Sequence, residues 1–320
     1  MVATSEDVAR RAGVSRATVS QILNGRGERF TPDTQARVRQ AAEDLGYEPS
    51  AAGRALARGS SDFVIALLPH PTFGSNLQDL FDPITAELAA HGFTLVLRLS
   101  TTSTEALDRL VSGMKPAALL SITPFSEANR RLLEDRGIRH LDPVGAAGKD
   151  PFAAIGAMQV HHLVSRGYQR IAFAHLRDPR DNTFGIHRER TIRASCRTAG
   201  LPDPKVTWLG LNIEEALAAL DELSPPGVGI ACYNDDVATA LLTAAKLRGF
   251  RVPEDVALIG MDHTPLSQLT FPPLTTIRLN LEASVRSITG RLLTLLGVHP
   301  LAETELRSNI ALELVPGGST

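Results

Sequence analysis

The chain has 320 residues, 43% hydrophobic and 21% charged, with a formal net charge of -2. That length fits two or three domains, and the absence of any apolar run of about 18 residues excludes a transmembrane helix. The start, Met1-Val2-Ala3-Thr4-Ser5-Glu6-Asp7, lacks the basic segment and apolar core of a secretory signal. Cys196 and Cys232 fit no metal spacing; reduced thiols in a cytoplasmic protein are expected.

The charge is uneven: residues 1–60 hold nine arginines against seven acids, which leaves the remainder at -4. Thr4-Ser5-Glu6-Asp7 predicts a helix start, a hydroxyl cap with an acid three residues later. Val8, Ala9 and Ala12 are its apolar positions, and Gly13 ends it. Ser15 caps a second helix in which Val19, Ile22 and Leu23 share one face. Asn24-Gly25 stops it, and Arg26-Gly27-Glu28-Arg29 reads as a flexible loop. Thr31-Pro32 opens a third helix with Val38, Ala41, Ala42 and Leu45 as its buried stripe. Two short helices about a Gly-containing turn, plus a third, make a helix-turn-helix module. The second helix then presents Arg16, Ala17, Ser20 and Gln21 outward. Arg16 can pair with guanine O6 and N7, Gln21 with adenine, and Ala17 can touch a thymine methyl. The same residues would also suit a merely solvated face.

The run Glu6-Asp7-Val8-Ala9-Arg10-Arg11-Ala12-Gly13-Val14-Ser15, followed by Thr18-Val19-Ser20, Leu23-Asn24, Thr31-Pro32 and Leu45-Gly46-Tyr47, resembles the headpiece of the lactose-repressor (LacI/GalR) family. The resemblance implies a sequence-specific DNA-binding transcriptional regulator, most simply a repressor. It implies that Arg16, Ala17 and Gln21 read bases, while Thr4, Thr18, Ser20 and Asn24 contact the DNA backbone and fix register. Gln21 stands where basic residues are frequent in the family, so no operator sequence carries over.

Pro49 to Gly59 reads as a short helix, marginal alone because two turns do not offset the cost of nucleation; a plain linker is the other reading. In proteins this resembles, the segment folds on DNA and inserts a leucine, here Leu56, into the minor groove, with Arg54 at the backbone.

From Phe63 the grammar changes. Val64-Ile65-Ala66-Leu67-Leu68 is a continuous apolar run, as a strand buried on both faces should be. Helices near 79–90, 104–113 and 126–136 alternate with strands at 94–97, 117–122 and 138–142. A second set of helices, 154–166, 187–199, 213–223 and 236–248, alternates with strands 170–174, 205–209, 227–232 and 255–260. Two such parallel α/β lobes suggest a ligand cleft between them. The segment Asp181 to His187 reads as a loop. Leu163 to Ala172 (with Tyr168 replacing a histidine usual in the family), Tyr233-Asn234-Asp235, Gly249 to Val256, Ile259-Gly260-Met261-Asp262 and Pro272 to Ile277 extend the resemblance over nearly the whole chain. It implies that the chain crosses back to the first lobe after Thr276, with a helix at 281–296 there.

The expected fold is therefore an all-α helix-turn-helix headpiece (1–48), a hinge helix and linker (49–60), and a two-lobed, periplasmic-binding-protein-like α/β domain (61–320). Lobe 1 takes about 61–150 and 279–304; lobe 2 takes about 153–276 and 305–318. Arg188, Asn234, Asp235 and Asp262 sit where the family contacts effector, a set that suits a polyhydroxylated or anionic molecule. For Asp235 and Asp262, helix capping after a strand is an equal reading. Asn76 and Thr123 end strand-to-helix loops that face the cleft, and Asp150 lies near the crossover. The partners expected are pseudo-palindromic double-stranded operator DNA, a small-molecule effector (a sugar is the commonest family ligand) and a second copy of the chain. With no apolar heptads beyond the last strand, a homodimer is expected, not a tethered tetramer. No catalytic constellation, cofactor or metal motif occurs, and neither an enzyme nor a membrane partner is expected. The rival reading is a solute-binding or sensing protein without DNA function.

Overall fold

The computed structural model describes residues 3–24, 27–48, 61–68, 76–99, 103–142, 153–177, 183–223, 225–298 and 312–320. The hinge residues Arg54 and Leu56, together with Asp150, lie outside the described residues.

Among the described residues of the first 48 there are three helices, α1 (Ser5–Ala12), α2 (Arg16–Leu23) and α3 (Pro32–Asp44). Each begins at a hydroxyl cap that satisfies an otherwise orphaned N–H: Thr4 accepts from Asp7 N, Ser15 from Thr18 N and Thr31 from Thr34 N. At α1 the box is reciprocal, with the Asp7 carboxylate accepting Thr4 N at 3.0 Å. Gly13 at φ 67° ends α1 in the left-handed region that favours glycine. Val8, Val19, Ile22 and Val38 meet in the core, with Ala9, Ala12, Ala41 and Ala42 letting the backbones approach. Arg11 of α1 is paired with Asp44 of α3 at 2.6 Å.

Two parallel four-stranded sheets follow. The first contains β1 (Phe63–Leu68), β2 (Thr94–Leu99), β3 (Ala118–Ser121) and β4 (His140–Leu141) in the order β2-β1-β3-β4. Helices α4 (Asn76–Ala90), α5 (Thr104–Met114) and α6 (Glu127–Asp135) connect them. The second contains β5 (Ile171–Leu176), β6 (Lys205–Leu209), β7 (Val228–Cys232) and β8 (Val256–Ile259) in the order β6-β5-β7-β8, linked by α8 (Thr183–Thr198), α9 (Ile213–Leu223) and α10 (Asp235–Leu247) and preceded by α7 (Ala153–Ser165). The central strands β1, β5 and β7 are buried on both faces, which is why their sequences run apolar without alternation.

After β8, a 3-10 turn at Pro265–Gln268 leads to β9 (Thr276–Leu279), which pairs antiparallel with β10 (Leu312–Val315). Helix α11 (Leu281–Leu296) then buries Leu292, Leu293 and Leu296 in the core under the first sheet, beside Leu80, Phe81, Ile84 and Leu88 of α4. The chain thus leaves the second lobe after β9, completes the first with α11 and pairs with β9 again through β10. The segment 181–187, read as a loop, is helical from Thr183. Buried Phe184 anchors that turn in the lobe core and outweighs the low helix propensity of Gly185.

Candidate nucleic-acid interface and ligand cleft

On α2, burial sorts the residues as the helical period requires: Val19 and Ile22 are buried while Arg16, Ala17 and Ser20 are exposed. Thr18 is half-buried, its hydroxyl 2.9 Å from that of Ser15. Thr4 is held in the capping box. Asn24 turns inward, and its amide donates to Ser20 O at 2.6 Å, closing the helix.

Sequence reasoning missed Arg29. Its guanidinium donates to the Gln21 carbonyl oxygen and lies 5.4 Å from the Phe30 ring centroid. Residues 27–30, within the stretch read as a flexible loop, form a fixed turn: Phe30 N donates to Gly27 O, and the Gln35 amide donates to both Gly27 O and Phe30 O at 3.0 Å. A Cβ on Gly27 would stand 3.5 Å from Ile22 Cα, so the turn lies against α2 itself. No local signal ties Gln35 to a turn five to eight residues earlier.

In the second lobe the candidate residues gather at the carboxyl ends of the strands, where parallel sheets place ligands. Arg188, in the second turn of α8, is only 6% exposed. Its guanidinium donates to Tyr233 O and lies 4.9 Å from the Tyr233 ring centroid. Its Nε has no hydrogen-bond partner among the described residues, a costly state for a buried donor. Gly156 of α7 makes this placement possible, because a Cβ there would meet Arg188 O and Ile192 at 3.0 Å.

Asn234 is the cap of α10, accepting from Val237 N at 3.0 Å; the capping role considered for Asp235 falls one residue earlier. Asp235 is buried and fully engaged by protein donors: Thr264 N at 2.7 Å, Thr264 Oγ1 at 3.3 Å and Thr276 Oγ1 at 2.6 Å. Burial holds its carboxyl above the ordinary value against those hydrogen bonds. It therefore knits the β8–β9 connection to α10.

Asp262 caps no helix. It has φ 101° and is followed by His263 at φ 50°. Two consecutive non-glycine residues at positive φ store strain, held here by Asp262 N to Ile277 O at 2.9 Å and His263 N to Thr276 Oγ1 at 3.3 Å. Burial lifts the Asp262 carboxyl to about 6, opposed by the positive charge of Arg188. The Asp262 carbonyl accepts from Asn76 Nδ2 at 2.9 Å. Asn76 starts α4 of the other lobe, so this bond spans the two lobes at the cleft. Thr123 is half-buried after β3, its N–H donating to Ser121 Oγ at 3.2 Å.

Behind the wall lies a cluster absent from the sequence reading. His175 of β5 is fully buried, stacks on Trp208 at 3.7 Å and meets Glu189 at 2.8 Å through Nε2. Glu189 also accepts from Arg193, which pairs with Asp203. Burial pushes the His175 imidazole below its ordinary value, against the pull of Glu189.

Residues 4–50 match the domain described as bacterial regulatory proteins, lacI family, and residues 160–320 match a periplasmic binding protein-like domain. The HTH-type transcriptional regulator GntR of Pseudomonas aeruginosa is 32% identical over 99% of this chain and 95% of its own length. The HTH-type transcriptional repressor CytR of Escherichia coli is 28% identical over 86% of this chain and 84% of its own. Among solved structures, the lac repressor dimer bound to operator and an anti-inducer has a TM-score of 0.76 at 20% identity, covering 100% and 99% of the two chains. A headpiece with exposed Arg16 and Ala17 and a half-buried Gln21, two parallel lobes and a full-length relative above 30% identity lead to one assignment: the chain belongs to the lacI family of bacterial transcriptional regulators, DNA-binding proteins with a periplasmic-binding-protein-like second part.

Proposed function

We propose that this chain is a cytoplasmic, non-enzymatic repressor that binds a pseudo-palindromic operator as a homodimer and whose operator affinity is set by a small polyhydroxylated or anionic ligand in the cleft. The observation that carries the ligand reading is the buried Arg188 with its unpartnered Nε, beside Asn234 and Asp262. Arg188 offers a fixed donor fork, Asp262 an acceptor and Asn234 both. The transcriptional regulator CelR, solved in complex with cellobiose and similar to this chain at a TM-score of 0.62, supports a sugar-sized ligand. Asp235 serves as the frame behind this wall, since protein donors fill its carboxylate. Thr123 and Asp150 are assigned to the lobe 1 side, and Asn76 to closure.

In the headpiece, Arg16, Ala17 and Gln21 meet base edges and Thr4, Thr18, Ser20 and Asn24 flank the backbone. The hinge 49–60, with Leu56 as minor-groove wedge and Arg54 beside it, joins the headpiece 1–48 to the lobes. One headpiece reads too few base pairs, so two-fold pairing supplies the second half-site. Selection of operators from a random duplex library by the purified full chain, repeated with a metabolite panel, tests the reading. Enrichment of a palindrome, affinity falling steeply with salt, and a shift with at least one metabolite are expected. Salt-insensitive or absent DNA binding overturns it.

A further inference from the structure

We propose that Gln21 and Arg29 read DNA as one unit, and that Arg29 converts the base pair facing Gln21 from an adenine site into a guanine site. This rests on the reading of the exposed α2 face as the base-reading surface.

An unencumbered glutamine recognises adenine because it both donates, through its amide NH2 to N7, and accepts, through its carbonyl from the N6 amino group. Here the carbonyl is taken. An arginine can only donate, so the Gln21 atom facing the Arg29 guanidinium is the oxygen. With one of its two carbonyl lone pairs held by a cation, Gln21 offers a base chiefly its NH2. Arg29 contributes its remaining N–H donors. The pair is thus a donor-rich surface. Guanine offers two acceptors in the major groove, O6 and N7, whereas adenine offers one acceptor beside a donor. A donor-rich surface matches guanine and sets N–H against N–H at the adenine amino group.

The arrangement is built rather than incidental. The Gln35 amide clamps the turn that carries Arg29 through the Gly27 and Phe30 carbonyls. The guanidinium rests on the Phe30 ring, itself half-buried against the headpiece core. Gly27 brings the turn to within van der Waals distance of Ile22 on α2. Arg29 thus reaches Gln21 from a held position, which lowers the side-chain entropy lost on meeting a base.

The test is selection from a randomised duplex library with full-length wild type, Arg29→Ala, Arg29→Lys and Gln21→Ala, followed by titration of the best duplex and its single-position G→A variant. The wild type is expected to prefer guanine at one position per half-site by roughly tenfold to a hundredfold. Arg29→Ala frees the Gln21 carbonyl and is expected to move that position to adenine while other positions keep their bases. Arg29→Lys, a donor without the fork, retains guanine more weakly. A wild-type preference for adenine there overturns the proposal. So does an Arg29→Ala variant that weakens every duplex equally with the guanine preference intact, which would make Arg29 a phosphate contact only. A wild type that enriches no sequence removes the base-reading surface itself, and the pair with it.

Discussion

The headpiece and the cleft are built by opposite means. In the headpiece the fixing contacts are short in sequence: caps close over three residues at Thr4, Ser15 and Thr31, and a small core seals them. The reader's shape is therefore complete within the module and does not depend on what the lobes do. In the cleft the decisive contacts are long: Asn76 meets Asp262 across 186 positions and Asp235 meets Thr276 across 41. Its wall is correct only when separate segments, and in one case separate lobes, are correctly placed. The difference teaches where regulation resides. A ligand has little purchase on the locally stapled reader, but a cleft closed by a bond between lobes can be biased by whatever fills it.

This contrast can be broken in graded ways. The largest effect is expected from Gly260→Ala, since a Cβ there would sit 2.1 Å from the Asp235 carboxylate. Thermal unfolding should show the lobes losing about 3 kcal/mol or more, with headpiece helicity retained by the isolated transition of residues 1–48.

Next is Asp262→Asn. The folded carboxyl titrates near 6, above its unfolded value of 3.8, so the native state binds more protons between those values. Its contribution favours the fold at low pH and is lost as pH rises through about 6. The asparagine variant should therefore be more stable than wild type at pH 7, by on the order of 1–2 kcal/mol, and should lose ligand response. Denaturant melts at pH 5 and pH 7 check it: the gain must shrink at the lower pH.

Thr4→Ala comes third. Removal of the cap should destabilise the headpiece by about 1 kcal/mol and leave the lobe transition unmoved in calorimetry.

The smallest effect is spectroscopic. Trp208 is the only tryptophan of the chain, and it stacks on His175. Because the buried imidazole resists protonation, quenching of Trp208 fluorescence should set in below the ordinary histidine range near 6.5. Folding stability should fall as pH drops from about 6.5 toward that lower quenching midpoint, because over this interval the unfolded chain takes up the proton and the folded chain does not. A midpoint at or above 6.5 would contradict the buried, neutral His175.

How much was legible follows the same division. The three caps, the apolar stripe of the headpiece and the alternation of helix and buried strand were readable because each is a local pattern with one physical meaning. The Arg188, Asn234, Asp235 and Asp262 set rests on resemblance alone, and the contacts each of them makes were not legible. Nothing near Asp235 in sequence says that Thr264 and Thr276 will fill its carboxylate, or that Asn234 takes the cap. The turn at 27–30 looked flexible because Gly27 and Arg29 are loop residues; the clamp comes from Gln35, on the next helix. Helix α8 starts earlier than propensity suggests because Phe184 finds a core that only the tertiary fold creates. Tyr168, in place of the family's histidine, has a use the sequence does not show: its hydroxyl donates to Pro253 O at 2.6 Å across the lobe.

The central claim is that occupancy of the Arg188–Asp262 cleft and occupancy of DNA by α2 are thermodynamically linked. The most direct test is the operator Kd of the full chain with and without a metabolite that raises its melting temperature, in wild type and in Arg188→Lys. The account predicts a wild-type shift of roughly fivefold or more, the same factor when ligand affinity is measured with operator present, and no shift in Arg188→Lys. Equal operator affinity with and without a ligand shown to bind the wild-type cleft would contradict it.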